Sequence, residues 1–237
     1  MYLTYYILGI LLIPAIILAI FAQSKVQSTY KKYSSEMSQK GLTGKECAKQ
    51  ILACNEINDV QINEIDGVLT DYYDSKNKIL ALSKNNYNSS SIASIGVSAH
   101  ECGHAIQDKE NYLPNKIRNI IIKTYNIASK FLVPIIIIGF LFDFLLLIPK
   151  VANIILISGI VVFGLTFLAN LITLPVEFNA SKRALKTLRE NNILTEEETL
   201  KAKEVLSAAA LTYVASFMYS LLNFLRFVLI FANRNDK

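Results

Sequence analysis

Cysteine and histidine are the scarce chemistries of this chain. Its 237 residues carry three cysteines, Cys47, Cys54 and Cys102, too few and too scattered to staple a secreted fold. Cys47 and Cys54 would sit two turns apart on one helix, roughly 10 Å, beyond bonding reach. Reduced thiols agree with a cytoplasmic setting. No zinc-finger spacing and no interleaving of basic with aromatic residues is present, so nucleic-acid binding has no support, and the net charge of +5 is read instead as lipid-facing. Internal repeats and low-complexity tracts are also missing. No Lys or Arg precedes the first apolar run, which therefore reads as a retained anchor and not as a cleaved signal.

What is abundant is apolar sequence: 52% of residues are hydrophobic, too many for an ordinary soluble domain and too interrupted by charge for a pure membrane bundle. Four stretches are long enough to cross a bilayer, Leu3–Ala22, Phe131–Ile148, Val151–Leu174 and Leu211–Ala232, the middle two joined by a turn at Ile148, Pro149 and Lys150. The expected organisation is an anchor (1–23), a more polar region outside the membrane (24–130), a transmembrane hairpin (131–174), a connecting helical region (175–210) and a last span with its tail (211–237). Four crossings put 24–130 and 175–210 on one side. Lysines and arginines crowd that side, including Lys25, Lys31, Lys116, Arg118, Lys182 and Arg183, against Lys150, Arg234 and Lys237 opposite. A multi-pass protein of the cell membrane with a cytoplasmic working face follows. Asp143 and Arg226, inside spans at matching depth, are expected to form a structural ion pair or to snorkel, with no part in chemistry.

Both histidines fall in one pentapeptide, His100-Glu101-Cys102-Gly103-His104. On a helix His100 and His104 are about 40° apart and one turn apart in height, so both imidazoles can reach one metal ion. Glu101 points to the side of the same turn, where it can serve a water as general base without being a ligand. Cys102, at about 200° from His100, should face the core. Residues 91–99 are small or apolar without proline, and the helix should end near Asp108–Pro114.

Ahead of this helix, Thr43-Gly44-Lys45-Glu46 spells a capping box opening a helix whose Cys47, Ala48, Ile51 and Leu52 share a face. Val60, Ile62, the Asp66-Gly67 turn and 68–73 spell a hairpin, and Asp74–Asn77 turns the chain into Lys78–Ser83. A small antiparallel meander is expected, with Lys78–Ser83 the candidate edge for pairing with an extended peptide. Pro175 is expected to open a new helix, and Thr195–Glu198 is a second capping box.

A catalytic zinc site takes three protein ligands. Glu177 is the best third candidate, the one acidic residue between Pro175 and Ser181 and on the required side of the membrane. Asp71 and Asp74 are rivals better suited to capping turns. Tyr72, Tyr73 and Tyr213 are each candidates to stabilise an oxyanion, and spacing does not choose among them.

Taken together, Gly41–Gly44 (GLTG), Leu69–Asp74 (LTDYYD), Ala99–Gln107 (AHECGHAIQ), Pro175–Ser181 (PVEFNAS) and Ala208–Ala215 (AAALTYVA) resemble the membrane-bound neutral zinc metallopeptidases of bacteria, the YugP type, over nearly the whole chain. The resemblance implies a zincin-like domain on a helical membrane anchor, with zinc on His100, His104 and Glu177 and Glu101 catalytic. Residues 177–181 also look like the third-ligand helix of HtpX and CAAX-prenyl proteases, where an acidic residue usually stands at the position of Ser181. That departure removes one expected partner of the metal site. Tyr72 stands where the YugP-type pattern usually has histidine.

The expected fold class is thus α+β and mostly helical: about four transmembrane helices and a short antiparallel sheet beside the histidine helix. The expected function is a membrane-embedded, gluzincin-like zinc endopeptidase acting on membrane-associated proteins or peptides, its partners being that substrate and the lipid bilayer. The alternative is a zinc-bearing membrane scaffold or chaperone-like binder without proteolysis.

Overall fold

The computed structural model describes residues 9, 10, 12–146 and 149–235, with side chains described outside 129, 132, 133, 135, 136, 138–156 and 233–235. In chain order the elements are α1 (Ile13–Ser34), α2 (Gly44–Cys54), β1 (Gln61–Ile65), β2 (Tyr72–Asp74), β3 (Ile79–Ser83), α3 (Lys84–Tyr87), α4 (Ile92–Lys109), α5 (Leu113–Leu146), α6 (Pro149–Glu190) and α7 (Glu196–Asn235). The fold is mostly helical α+β. Two compact units emerge: Phe21–Asn115 with Pro175–Thr212, and Met1–Ile20 with Lys116–Leu174 and Tyr213–Lys237.

The first unit is built around α4. Ser91 caps it by accepting the Ser94 amide at 3.2 Å, which satisfies one of the donors a helix start leaves over. Its buried Ile95, Ala99, Cys102 and Ile106 pack against Cys47, Ala48, Ile51 and Leu52 of α2, Leu80 and Leu82 of β3, Ala184 and Leu188 of α6, and Ala202 and Leu206 of α7. Burying each large aliphatic side chain contributes about 1.5–3 kcal/mol. Both capping boxes form: the Thr43 amide donates to Glu46 Oε2 at 2.8 Å, and the Thr195 amide to Glu198 Oε2 at 2.8 Å.

The sheet departs from the expected antiparallel meander. Its order is β1-β3-β2, with β1 parallel to β3 and β2 antiparallel to β3. Residues 66–71 do not close a hairpin, and Gly67 and Leu69 both take positive φ (110° and 55°). Ile79–Ser83 is therefore the central strand and cannot be a free edge. The physical reason is burial: Leu80, Ala81, Leu82 and Ser83 are all buried, and a strand covered on both faces needs its backbone groups paired on both sides.

Pro175 does not begin a helix either. It lies inside α6, which runs unbroken from Pro149 to Glu190. The missing amide costs one hydrogen bond, to the carbonyl of Leu171, without ending the helix.

In the second unit Phe163 stacks on Phe227 and Phe167 on Phe224, with ring centroids 4.5 and 5.7 Å apart. Two helices among the described residues, Ile157–Glu190 and Glu196–Ala232, are long and apolar enough to cross a membrane, in place of the four expected. Only 17% and 22% of their most apolar windows are buried, unlike core helices of a soluble protein. Leu3–Ala22 falls partly outside the described residues, as do the turn at Ile148 and most side chains of Phe131–Ile148, including that of Asp143 and its expected pairing with Arg226.

Candidate metal centre

Helical phase brings His100 and His104 to one face of α4, with ring centroids 4.9 Å apart and planes at 83°. Glu177 of α6 meets them there. Its Oε2 lies 3.2 Å from His100 Nε2 and 3.4 Å from His104 Nε2, and the three ligand atoms fall within 4.8 Å of one another. Among the described residues no other group of three histidine, cysteine or acidic side chains converges in this way. Glu177 is buried at 2% exposure, whereas the imidazoles keep 13% and 12% of their side-chain surface open, so the cluster is reachable from one side.

The approach of the helices depends on a missing side chain. Gly103 sits against α6 where a Cβ would overlap the carbonyl oxygen of Ala180. Glycine at this point of the pentapeptide lets the two backbones come close enough for a short carboxylate to reach both rings.

Both Nδ1 atoms are engaged on the far side of the rings. His100 Nδ1 is 3.1 Å from Ser181 Oγ, and His104 Nδ1 is 3.0 Å from Gln107 Oε1. Sequence reasoning took Ser181 as the loss of a partner, and the structure corrects this: the hydroxyl supplies the contact. Gln107 entered the sequence reading only as the last residue of the Ala99–Gln107 stretch. Its spacing of three from His104 was the available signal, since such residues lie on one helix face.

Burial alone would raise the Glu177 carboxyl, but hydrogen bonds to His100 and His104 and the attraction of both imidazoles outweigh it and hold the group well below the usual carboxylate range. Burial would likewise lower His104, yet hydrogen bonding and attraction to Glu177 prevail and raise it. Glu101, buried at 8% exposure, is pushed up by desolvation against the lowering influence of the two imidazoles. Burial raises the Cys102 thiol, whose sulfur faces Ala48 O at 3.7 Å, in the core as expected.

Asp71, Asp74 and Tyr73 have hydrogen-bond partners of their own. Asp71 accepts from the Ser83 amide at 2.8 Å and Asn86 Nδ2 at 2.7 Å, tying the end of β3 to α3. Asp74 accepts from the amides of Lys76 and Asn77 and caps its own turn. Tyr73 donates its hydroxyl to Asp108 Oδ2, which also receives Lys78 Nζ at 2.7 Å. Tyr72 is 48% exposed, and Tyr213 belongs to the second unit.

The donor set fits zinc. Two imidazole nitrogens and one carboxylate oxygen, each ring held through its other nitrogen, are ligand types that a zinc site with an open position uses. Tetrahedral ligands at zinc bond lengths are about 3.3 Å apart; the two separations from Glu177 are 3.2 and 3.4 Å, and all three ligand atoms lie within 4.8 Å.

Comparison with known proteins places the chain in a family. A family model described as "Putative neutral zinc metallopeptidase" matches residues 8–232. The chain is 40% identical over 227 residues to a Bacillus subtilis protein named "Putative membrane protease YugP", covering 96% of this chain and 97% of the relative. No solved structure matches.

Proposed function

This chain belongs to the neutral zinc metallopeptidase family, and from that membership and its site we propose that it is a membrane-embedded zinc-dependent endopeptidase. The observation that carries the reading is the meeting of His100, His104 and Glu177 beside the buried Glu101.

His100, His104 and Glu177 would hold the zinc ion. When bound, zinc supplies Lewis acidity to a peptide carbonyl and lowers the pKa of a neighbouring water. Glu101 takes the proton that water loses as its oxygen bonds to the carbonyl carbon, and delivers it to the departing amine nitrogen as the C–N bond breaks. A carboxyl raised by burial suits both halves of that transfer, because it accepts a proton more readily than a solvated glutamate. No covalent acyl-enzyme is involved.

The relative's name and the two apolar helices support a membrane setting. The finer arrangement, with the working face in the cytoplasm, rests on the lysine and arginine bias of the flanking segments. Glu177 follows the apolar run ending at Leu174 by three residues, which favours membrane proteins or their tails as substrates.

The test uses purified full-length protein, zinc and an unfolded membrane protein. Glu101→Gln should keep zinc while cleavage falls by about 10²–10⁴, and chelation should abolish cleavage in the native protein. A Glu101→Gln variant that cleaves normally, or a native protein that binds zinc without cleaving, would return the reading to a zinc-bearing scaffold.

A further inference from the structure

We infer that Gln107 is a positioning residue that locks His104 in the tautomer a metal requires and fastens that ring to the backbone beside Glu177. The inference rests on the peptidase reading only in taking His104 and Glu177 as ligands.

Gln107 is fully buried, so each of its polar atoms must find a protein partner. Its Nε2 donates to Val176 O at 2.7 Å and to Asn179 Oδ1 at 3.0 Å. A backbone carbonyl can only accept, so the contact with Val176 fixes which end of the amide is nitrogen. The other end, Oε1, is then an acceptor 3.0 Å from His104 Nδ1. Two acceptors cannot bond to each other, so His104 carries its proton on Nδ1. With Nδ1 so protonated, Nε2 is the nitrogen that gives up its proton, the one shared with Glu177 Oε2 3.4 Å away, when a metal is to be held.

His100 lacks this constraint. Its Nδ1 partner is the Ser181 hydroxyl, which can donate or accept and so does not select a tautomer. The two imidazoles are thus held unequally.

The same amide also sets distance. Val176 is the residue before Glu177, and Gln107 is three residues after His104, so one side chain ties α4 to α6 beside both ligands. The tie is braced from outside: Asn179 Oδ1 also accepts Arg183 Nε at 2.6 Å, and Arg183 Nη1 pairs with Glu110 Oε2 at 2.6 Å.

With two histidines in the chain, ¹⁵N-histidine labelling yields two rings, both in the site. In the full-length, metal-stripped protein His104 should keep a proton on Nδ1 across the titration, as imidazolium while Nε2 still donates to Glu177 and as the Nδ1–H tautomer once that proton is lost. Gln107→Met, of similar volume and without the acceptor, should shift it toward the Nε2–H form and weaken zinc binding about 10–100-fold, with a changed cobalt(II) absorption spectrum. Gln107→Glu restores an acceptor to Nδ1 and should recover the Nδ1–H tautomer and most of the affinity, even though its bond to Val176 is lost on ionisation. Asn179→Ala, which leaves the contact with His104 in place, should keep the tautomer. It guards against reading general loosening of the helices as tautomer control.

A His104 ring in the native protein whose only proton is on Nε2, or a native cobalt spectrum and zinc affinity in Gln107→Met, overturns the inference while leaving the peptidase reading intact. Native protein that binds no zinc overturns the peptidase reading, and the tautomer signals still decide whether Gln107 holds the ring.

Discussion

Gly103 lies against the carbonyl oxygen of Ala180 with no room for a Cβ between them. The contact falls one residue before His104 and three after Glu177, at the crossing that seats the third ligand. The obstacle is backbone and cannot rotate aside, so Gly103→Ala must push the helices apart. We expect a loss of about 1–3 kcal/mol from overpacking and at least a tenfold drop in zinc affinity, read by thermal unfolding and chelator competition. Gly96→Ala is the control: a Cβ there would meet Ala202 Cβ at 3.5 Å, an ordinary contact, so the change should be neutral or stabilising. Equal zinc binding by both variants would show that the close crossing does not position Glu177.

The pairing of His104 with Glu177 gives stability opposite pH dependence with and without metal. In stripped protein the His104 pKa is raised above its ordinary 6.5, so its contribution is complete below that value and is lost as pH rises through the folded pKa. Glu177 is depressed below 4.5, so its contribution is present above 4.5 and is lost only in stronger acid. The chelated protein should therefore melt at a higher temperature at pH 6 than at pH 8. The zinc-loaded protein should do the reverse, because metal must displace the proton on His104. Glu177→Gln should flatten the slope of the stripped protein, and a chelated protein that is more stable at pH 8 would refute the assignment.

Asp71 serves the fold and not the metal. Asp71→Ala strands the Ser83 amide and Asn86 Nδ2 and should cost about 2–3 kcal/mol. Zinc stoichiometry should remain one per chain by elemental analysis, and a loss of metal from a folded variant would reopen Asp71 as a ligand.

The convergence of His100 with His104 was legible in the sequence because it depends on helical phase: a spacing of four fixes where the two rings point, whatever else surrounds them. Glu177 could be found by chain order. Strand pairing could not, since alternation marks a strand without naming its neighbour, and the Asp66-Gly67 signal suggested a hairpin that does not form. The continuous apolar run Ile79–Leu82 was the overlooked sign that this strand is enclosed on both sides. Pro175 misled in the opposite direction, because a long helix with neighbours can absorb the loss of one backbone bond. The partners of the imidazoles, Gln107 and Ser181, lie three residues along and on another helix, and they acquire meaning only once the ring orientations are known.

The placement of the sulfurs offers a practical handle. Cys47 and Cys102 are sealed between α2 and α4, while Cys54 at the end of α2 is exposed. An alkylating reagent added to the folded protein therefore finds one thiol, remote from the ligands in chemistry and unneeded by them. A fluorophore at Cys54 can report on the molecule without disturbing it, and the later appearance of a second and third adduct times the separation of these two helices.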